Sequence, residues 1–301
     1  MRNQIAYRIF NLVVSVLVAA YDFLWDLFAR FRGRPPRKMC VVFAYHTVKP
    51  EQRAAFARQM EMLVRHAKPV AAGLEALPDE NTHYAAITFD DGVENLVENA
   101  FPELLKRKIP ATVFVVTDML GEYPRWEYRG ANSTLQERTM SQEQLCSLST
   151  DLITIGSHTA THPYLPSIGP ESLQRELKGS RVKLEQMLNR EVKLFSSPYG
   201  EFDEKIANAC KEAGYDRVFT TVPSLAFCKP RELVTGRVGA SPSDWPLEFR
   251  LKLAGAYRWV PYAYAIKRRI FSGPKDGKKQ ESGAYEGEKR EESWNRGVST
   301  R

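Results

Sequence analysis

Two adjacent aspartates, Asp90 and Asp91, end the apolar run in the segment AAITFDDGVENL (residues 85–96), and a glycine follows them directly. On a strand, neighbouring side chains point to opposite faces. No basic residue within the segment neutralises the two carboxylates. Acidic side chains at the point where a strand becomes a turn can hold a metal ion or accept a proton.

The segment GSHTATHPYL (residues 156–165) supplies His158 and His162, four residues apart. Four residues make about one helical turn, so both imidazoles can face one ion if the loop coils. Two imidazoles and one carboxylate with an open position form a common catalytic site for a divalent metal. Neutral imidazole suits zinc, and also nickel or cobalt. Such a pair alone is equally typical of packing or solvent-facing histidines; together with strand-end aspartates it favours a metal site.

The elements that must position these residues alternate between strand and helix patterns. Strands are predicted over 39–48, 85–91, 111–117, 152–158, 192–198 and 217–221, and helices over 51–66, 94–108, 141–149, 170–190 and 203–213. Interleaved strands and helices predict a mostly parallel sheet, either a barrel or an open sheet. In both architectures ligands bind at the carboxyl ends of the strands, where the aspartates and His158 lie.

Three motifs carry a family resemblance: TFDDG (88–92), SHTATHP (157–163) and SSPYG (196–200). In this order and at these intervals they resemble the polysaccharide deacetylases with the NodB-homology domain, carbohydrate esterase family four. The resemblance covers roughly Met39 to Ser241, and VFAYHTV (42–48) is similar to the opening strand of one branch of that family.

The resemblance implies a distorted (β/α) barrel that hydrolyses N-acetyl groups of amino sugars. By this resemblance Asp91, His158 and His162 would bind the metal, and Asp90 would be the catalytic base. One carboxylate would hold the metal while its neighbour stays free to take a proton. The metal would lower the pKa of water and polarise the amide carbonyl.

Further roles follow from the same resemblance. Tyr199, after the substrate-binding Pro198, would donate its backbone N–H to the oxyanion of the reaction. Gly92 would let the chain turn sharply, which keeps both carboxylates at the rim.

Two positions depart from the family pattern. Its third motif usually begins with an arginine that orients the base, and Ser196 stands there in this chain. Its last motif usually carries a histidine that protonates the leaving amine, but no histidine follows His162. Arg237, in LVTGRVGAS (233–241), is a poor general acid because arginine does not deprotonate.

His46, at the mouth of the first predicted strand, is therefore the candidate general acid. A structural or substrate-binding role for His46 is the alternative, and Asp118 or a water molecule on the metal could also deliver the proton. In the loop at 121–133, Arg125 and Trp126 suit a sugar ring that carries a phosphate. The alternative for this loop is a solvated segment with one packing tryptophan.

The N-terminal segment, residues 4–29, contains an apolar stretch from Ile9 to Tyr21 that is short for a bilayer span of roughly 20 residues. The apolar residues that follow favour a tilted or interfacial membrane anchor. A cleaved signal peptide and an ordinary helix packed on the domain are the alternatives. The basic segment at 30–38 predicts, by the positive-inside bias, a domain on the cytoplasmic face of a bacterial inner membrane.

The chain is thus divided into an anchor and basic linker (1–38), a deacetylase domain (39–243), an amphipathic basic-aromatic segment (244–271) and a disordered tail (272–301). The basic-aromatic segment suits a membrane interface, and a helix covering the core is its alternative. The tail is predicted from its high Gly, Lys and Glu content.

Composition sets the competing hypotheses. The net charge of +7 is concentrated at the membrane-seeking segments, which argues against nucleic-acid binding. Four cysteines without a CxxC pair argue against a zinc finger.

The favoured hypothesis is a metal-dependent deacetylase of an N-acylated amino sugar, in a lipid-linked or envelope glycan at the membrane. An exported deacetylase of free polymer is a variant. A non-catalytic sugar-binding or assembly protein on a degenerate deacetylase domain is the alternative of another class.

Overall fold

The computed structural model describes residues 2–34, 38–78, 82–126, 137–148 and 151–271, so the predicted disordered tail at 272–301 lies outside the described residues. Within these ranges nine strands form one sheet. They are β1 (Met39–Tyr45), β2 (Lys68–Pro69), β3 (His83–Phe89), β4 (Ala111–Val115), β5 (Ile153–Ser157), β6 (Leu194–Ser196), β7 (Arg217–Thr220), β8 (Val234–Gly236) and β9 (Val238–Gly239). Their order is β8-β7-β6-β5-β4-β3-β1-β9, with β2 pairing β3 beside this path, and the paired strands are parallel.

Closure of the sheet depends on one short segment, residues 234–239. Its first half, β8, pairs with β7, and its second half, β9, pairs with β1. Because β7 and β1 stand near opposite ends of the strand order, the segment joins the two edges of the curved sheet. A nearly closed parallel barrel results, which confirms the predicted (β/α) barrel. Arg237 is the one residue between the two halves.

The barrel interior is apolar at its base and polar at the carboxyl ends of the strands. Along β3, Tyr84 and Ala86 point into the interior cluster, and the buried hydroxyl of Thr88 follows them. Ile87 and Phe89 belong to the larger core between the sheet and the helices. This alternation, with period two, makes the next position after Phe89 point inward at the rim.

Helices surround the sheet. They are α1 (Arg2–Phe31), α2 (Arg53–His66), α3 (Leu96–Asn99), α4 (Phe101–Lys106), α5 (Gln142–Ser147), α6 (Pro170–Gln174), α7 (Ser180–Leu188), α8 (Glu204–Glu212), α9 (Pro246–Leu253) and α10 (Val260–Phe271). The helix predicted over 94–108 divides at Ala100, because Pro102 lies in the first turn of α4, where its missing N–H costs no hydrogen bond. The helix predicted over 170–190 contains a π-helical segment, Arg175–Gly179, between α6 and α7.

Gly236 in β8 has no space for a side chain, because a Cβ there would collide with the Val222 carbonyl oxygen and the Ser224 side chain. Gly239 in β9 has open space at the same position. We expect Gly236→Ala to lower the free energy of unfolding by about 1–3 kcal/mol, since an inserted methyl group must displace backbone. Gly239→Ala is the matched control and should change that free energy by less than about 0.5 kcal/mol. Chemical denaturation measures both, and equal losses would contradict the role of β8 in closing the barrel.

Candidate active site

The structure brings Asp91, His158 and His162 together at the carboxyl ends of the strands. The Oδ1 atom of Asp91 lies 3.5 Å from Nε2 of His158 and 3.6 Å from Nε2 of His162. All three side chains are buried. Among the residues that the structure describes, they form the group of acidic and imidazole side chains whose ligand atoms lie within 4.8 Å of one another.

This spacing fits a divalent metal ion. Two ligand atoms that each lie about 2.1 Å from a tetrahedral ion are roughly 3.4 Å apart. The observed carboxylate–imidazole distances are too long for ordinary hydrogen bonds. Asp91 Oδ1 is buried and has no hydrogen-bond partner in the described part of the chain, which is costly unless a cation satisfies it. The residues present therefore fit zinc, and the same donors suit nickel or cobalt.

A hydrogen bond fixes the tautomer of His158. Its Nδ1 atom lies 2.7 Å from the backbone oxygen of Ser196. Because a carbonyl oxygen can only accept, Nδ1 carries the proton and Nε2 presents its lone pair toward Asp91. This is the arrangement by which outer partners orient metal-binding histidines.

Aromatic contacts hold His162 instead. The Trp126 ring stacks on its imidazole at 4.5 Å, and the Tyr199 ring meets it edge-on at 4.8 Å. Its Nδ1 atom is buried with no hydrogen-bond partner among the described residues. Burial lowers the pKa of His162 to about 3, so at neutral pH the imidazole is neutral, which is the form that binds metals.

The loop between the two histidines is a tight turn and not a helical turn. Thr159 and His162 both adopt left-handed backbone conformations, with φ of 72° and 61°. The carboxylate of Glu176, in the π-helical segment, accepts hydrogen bonds from the N–H groups of Ala160 and Thr161. The expectation of a coiled loop was therefore wrong in geometry, although the imidazoles do converge.

Left-handed backbone recurs at the other site residues. Asp91 has a φ of 68° and Tyr199 a φ of 60°. For residues other than glycine this conformation costs about 1–3 kcal/mol each and tends to cluster at functional sites. Gly92 follows with a φ of 63°, and a Cβ on it would lie 2.7 Å from Cγ1 of Val115. Only glycine fits this position without displacing β4.

Asp90 is engaged by Arg237 and not by the histidines. Nη1 of Arg237 donates to Oδ1 of Asp90 at 2.8 Å, and Nη2 donates to Oδ2 at 2.7 Å. The guanidinium is fully buried. Its remaining N–H groups donate to the Thr88 hydroxyl, the Ser196 hydroxyl and the Thr220 carbonyl oxygen, so all five donors have acceptors.

This pairing keeps Asp90 ionised. Burial raises the pKa of the Asp90 carboxyl, but Arg237 and His158 lower it by more, so the pKa lies well below its usual value. Both carboxylate oxygens are oriented toward the guanidinium, which holds Asp90 apart from the Asp91–imidazole cluster. The two neighbouring aspartates are thus in different environments.

Arg237 occupies the role that sequence analysis found missing. Ser196 stands where the family usually has the orienting arginine, and its hydroxyl accepts a hydrogen bond from Arg237. The guanidinium reaches Asp90 from the closing segment and not from β6. In the sequence, Arg237 matches a position where some members of the resembled family have an arginine followed by an aliphatic residue, and it is rejected there as a general acid. Its pairing with Asp90 is not predicted, and that family position is the signal that could have indicated it.

The other ionisable candidates lie as follows. His46 follows β1 at the rim and is exposed, and its charge lowers the pKa of both Asp90 and Asp91. Asp118 lies in a surface ion pair, with its Oδ1 atom 2.9 Å from Nζ of Lys183. Of the remaining histidines, His83 begins β3 at the base of the barrel, and His66 is exposed at the end of α2, so neither is near the rim.

The expected substrate-binding residues border the metal ligands. One face of Trp126 packs on His162, which places this tryptophan beside a metal-ligand candidate. Arg125 beside it is exposed. Pro198 is buried and precedes Tyr199 in a short 3₁₀ turn after β6. Residues 127–136, which include Arg129, lie outside the described residues.

Comparison with known proteins places this site in a family. The family model described as polysaccharide deacetylase matches residues 78–218, which contain Asp90, Asp91 and both histidines. A putative polysaccharide deacetylase of Bacillus subtilis (strain 168), YxkH, is 28% identical over 156 residues, which are 52% of this chain and 51% of that protein. The chain thus spans about half the length of the curated relatives that it matches.

Solved structures share the fold. IcaB from Ammonifex degensii is 26% identical, with a TM-score of 0.60 over 72% of this chain and 99% of that one. A putative polysaccharide deacetylase from Bacillus anthracis matches with a TM-score of 0.59, at 23% identity over 71% of this chain and 69% of that one. Residues 78–218 of this chain thus match the polysaccharide deacetylase family model, and the chain shares the fold of solved structures such as IcaB.

Proposed function

We propose that the protein is a metal-dependent deacetylase that hydrolyses the N-acetyl group of an amino sugar in a glycan or glycolipid. The proposal rests on the different environments of two adjacent carboxylates, those of Asp90 and Asp91. Asp91 faces two imidazoles at metal-binding distances, while Arg237 holds Asp90 beside them and outside the ligand set. A protein that only bound sugar would have no need for a second, ionised carboxylate at this position, which argues against the non-catalytic alternative.

Asp90 is the general base in this mechanism. A divalent metal held by Asp91, His158 and His162 would supply Lewis-acid polarisation of the amide carbonyl and would lower the pKa of water in the site. Asp90 accepts the proton of the attacking water, since each carboxylate oxygen keeps a lone pair beyond the one that Arg237 occupies. Arg237 fixes the direction of those lone pairs.

Tyr199 stabilises the charge that develops on the amide oxygen. Its backbone N–H, in the turn after Pro198, donates a hydrogen bond to the oxyanion. Removing one such donor typically raises a barrier by about 2.7–4 kcal/mol. The left-handed conformation of Tyr199 supports this role, because strained backbone at a site residue is retained where function requires it.

His46 protonates the leaving amine. It stands at the rim, and its charge is felt by both aspartates, whereas Asp118 is paired with Lys183 at the surface. Histidine is the side chain most often used for such proton transfer, and this one is exposed at the rim. Trp126 and Arg125 lie at the same mouth and contact the sugar, with Arg125 suited to a phosphate on it.

The substrate is carried at a membrane surface. The helix α1 contains a 27-residue segment, Ile5–Phe31, that is long and apolar enough to cross a bilayer by length and composition. The basic residues that follow it attract anionic headgroups, which favours the cytoplasmic face of a bacterial inner membrane. A lipid-linked sugar or a growing envelope glycan is the substrate class that fits this location.

The aspartate assignment is tested with two isosteric variants. We expect Asp90→Asn to retain zinc while kcat falls by about 10²–10⁴-fold, because only the proton acceptor is removed. Asp91→Asn should lose zinc and activity together. Zinc content after equilibrium dialysis, and acyl loss from envelope glycolipids followed by mass spectrometry, measure the two effects. Near-normal turnover by Asp90→Asn would disprove the base assignment.

The positioning role of Arg237 is tested with a second buried arginine as control. Arg237→Lys keeps a positive charge but loses the two-pronged contact, so kcat should fall about 10–100-fold with zinc content and KM nearly unchanged. Arg217 is also buried, yet it bonds Thr235 and Leu74 and does not contact Asp90. Arg217→Lys should therefore change stability without this loss of kcat. Equal kcat values for the two variants would leave Arg237 with a structural role alone.

A further inference from the structure

The helix α1 turns its polar side chains toward the domain and a broad apolar side away from it. At about 100° per residue, its polar side chains between Ile5 and Phe31 fall within an arc of roughly 100°. Ser15 in that arc is buried, and Arg8, Asn11, Asp22 and Asp26 are partly buried. Apolar side chains of the same side, those of Leu12, Val18 and Ala19, pack on the core beside them. The opposite side is apolar and open: Phe10 is 57% exposed, Leu17 65% and Leu24 63%.

Three polar contacts, seven residues apart on α1, attach this helix to α9 and to the turn at 254–259 between α9 and α10. The Arg8 guanidinium pairs with Glu248 at 2.6 Å. The Ser15 hydroxyl accepts a hydrogen bond from the indole N–H of Trp259 at 3.0 Å. Both oxygens of Asp22 accept hydrogen bonds from Arg258, each at 2.7 Å.

The three contacts cover fourteen residues, or about 21 Å of helix at 1.5 Å per residue. The helix is therefore fixed along its length and not only at one end.

The apolar surface continues beyond α1. The Tyr7 hydroxyl contacts the Tyr264 hydroxyl at 2.5 Å, so α10 lies beside α1. On α10, Tyr262 is 71% exposed and Ile266 57%. A groove of about 710 Å³ lies between α1, the segment 222–228 that follows β7 and the start of α10, and it is lined mainly by apolar side chains such as Leu17. The two helices and this groove form one contiguous apolar surface.

These contacts are incompatible with a helix that spans a bilayer. If α1 crossed the membrane in this conformation, the attached domain would lie alongside it in the hydrocarbon. Glu248, Arg258 and the charged surface around them would then leave water, at a cost of several kcal/mol per charge. An orientation parallel to the membrane avoids that cost, because only the apolar side of α1 enters the lipid.

We propose that α1 lies in the plane of the membrane, with its apolar side and the exposed side of α10 inserted at the lipid interface of a bilayer. This proposal rests on the membrane association proposed above and defines its geometry. The exposed tryptophan, tyrosine and phenylalanine side chains of α1 suit that interface, and the basic residues Arg30, Arg32 and Arg34 at its end suit anionic headgroups.

The attachment also sets the direction of the catalytic mouth. Arg8 contacts Glu248 in α9, which begins shortly after the carboxyl end of β9 and therefore near the catalytic rim. Asp22 pairs with Arg258, next to Gly255, which packs against Met39 at the base of β1. The helix thus runs along the barrel wall from rim to base. With α1 in the membrane plane, the mouth opens sideways, along the membrane surface.

Depth measurements on the full chain test this orientation. Phe10→Cys, Leu17→Cys and Leu24→Cys are made in a background where the exposed Cys146 and Cys228 are serine, and each carries a fluorophore. The vesicles contain phosphatidylethanolamine with phosphatidylglycerol as the minor lipid, and quenchers are attached at known depths. We expect the same shallow depth at all three positions, because they share one side of a helix that lies flat.

A deep label at Leu17 with shallow labels at Phe10 and Leu24 would indicate a span and overturn the proposal. Labels shielded by a second copy of the chain, with dimers in detergent, would also overturn it. A chain that does not bind vesicles at all would instead remove the membrane association itself. Acyl release from a soluble N-acetylated oligosaccharide, measured in parallel, reports on the deacetylase independently of these outcomes.

A charge exchange tests the attachment without labels. Asp22→Lys should reduce acyl release from a vesicle-embedded glycolipid and leave release from the soluble oligosaccharide unchanged, because the domain loses its fixed orientation. The double variant Asp22→Arg with Arg258→Asp exchanges the two charges and so re-forms the ion pair. It should restore acyl release from the vesicle-embedded glycolipid. Equal vesicle activity in Asp22→Lys and the unmodified chain would contradict a role for this contact.

Discussion

The buried pair between Arg237 and Asp90 is the constraint on which the rest of the site depends. A fully buried guanidinium is tolerated only when its charge and its donors are matched, and losing one partner of such a pair costs about 3–5 kcal/mol. Thr88, Ser196 and Thr220 complete the match from three different strands. The same contacts that make the charge tolerable therefore connect β3, β6, β7 and the closing segment above the apolar base of the barrel.

This network explains how two adjacent residues do different work. The Asp90 side chain points into the barrel, like those of Tyr84, Ala86 and Thr88 earlier in the same strand, and there it meets the Arg237 guanidinium. The left-handed backbone at Asp91 turns the next carboxylate toward the imidazoles of His158 and His162. Ser196 links the two halves, because its hydroxyl contacts Arg237 and its backbone oxygen orients His158. A single residue of β6 thus contacts both the guanidinium that orients Asp90, the proposed base, and the imidazole of His158, a proposed metal ligand.

Local sequence patterns predict the alternating strands and helices and the strand-end aspartates and histidines, whereas the choice of a barrel over an open sheet and the set of ligands come from the family resemblance. Buried strands with β-branched residues, a DDG turn and a histidine pair are each readable within ten residues. Arg237 and its partner Asp90 are 147 positions apart in the sequence, and no local pattern around Arg237 predicts this contact. Its flanking strands are two and three residues long, too short for a periodic pattern. The helical turn expected between the histidines failed for a related reason, since Glu176 shapes that loop from a distant helix.

Because Arg237 lies late in the chain, the barrel and its buried Arg237–Asp90 pair can form only after most of the chain has been synthesised. Synthesis proceeds from the N-terminus, so Asp91, His158 and His162 emerge well before the segment that closes the barrel. A chain that ends before residue 234 would contain these three proposed metal ligands but would leave Asp90 without its guanidinium partner. In the proposed mechanism, the direction of the base is therefore set only when the barrel closes.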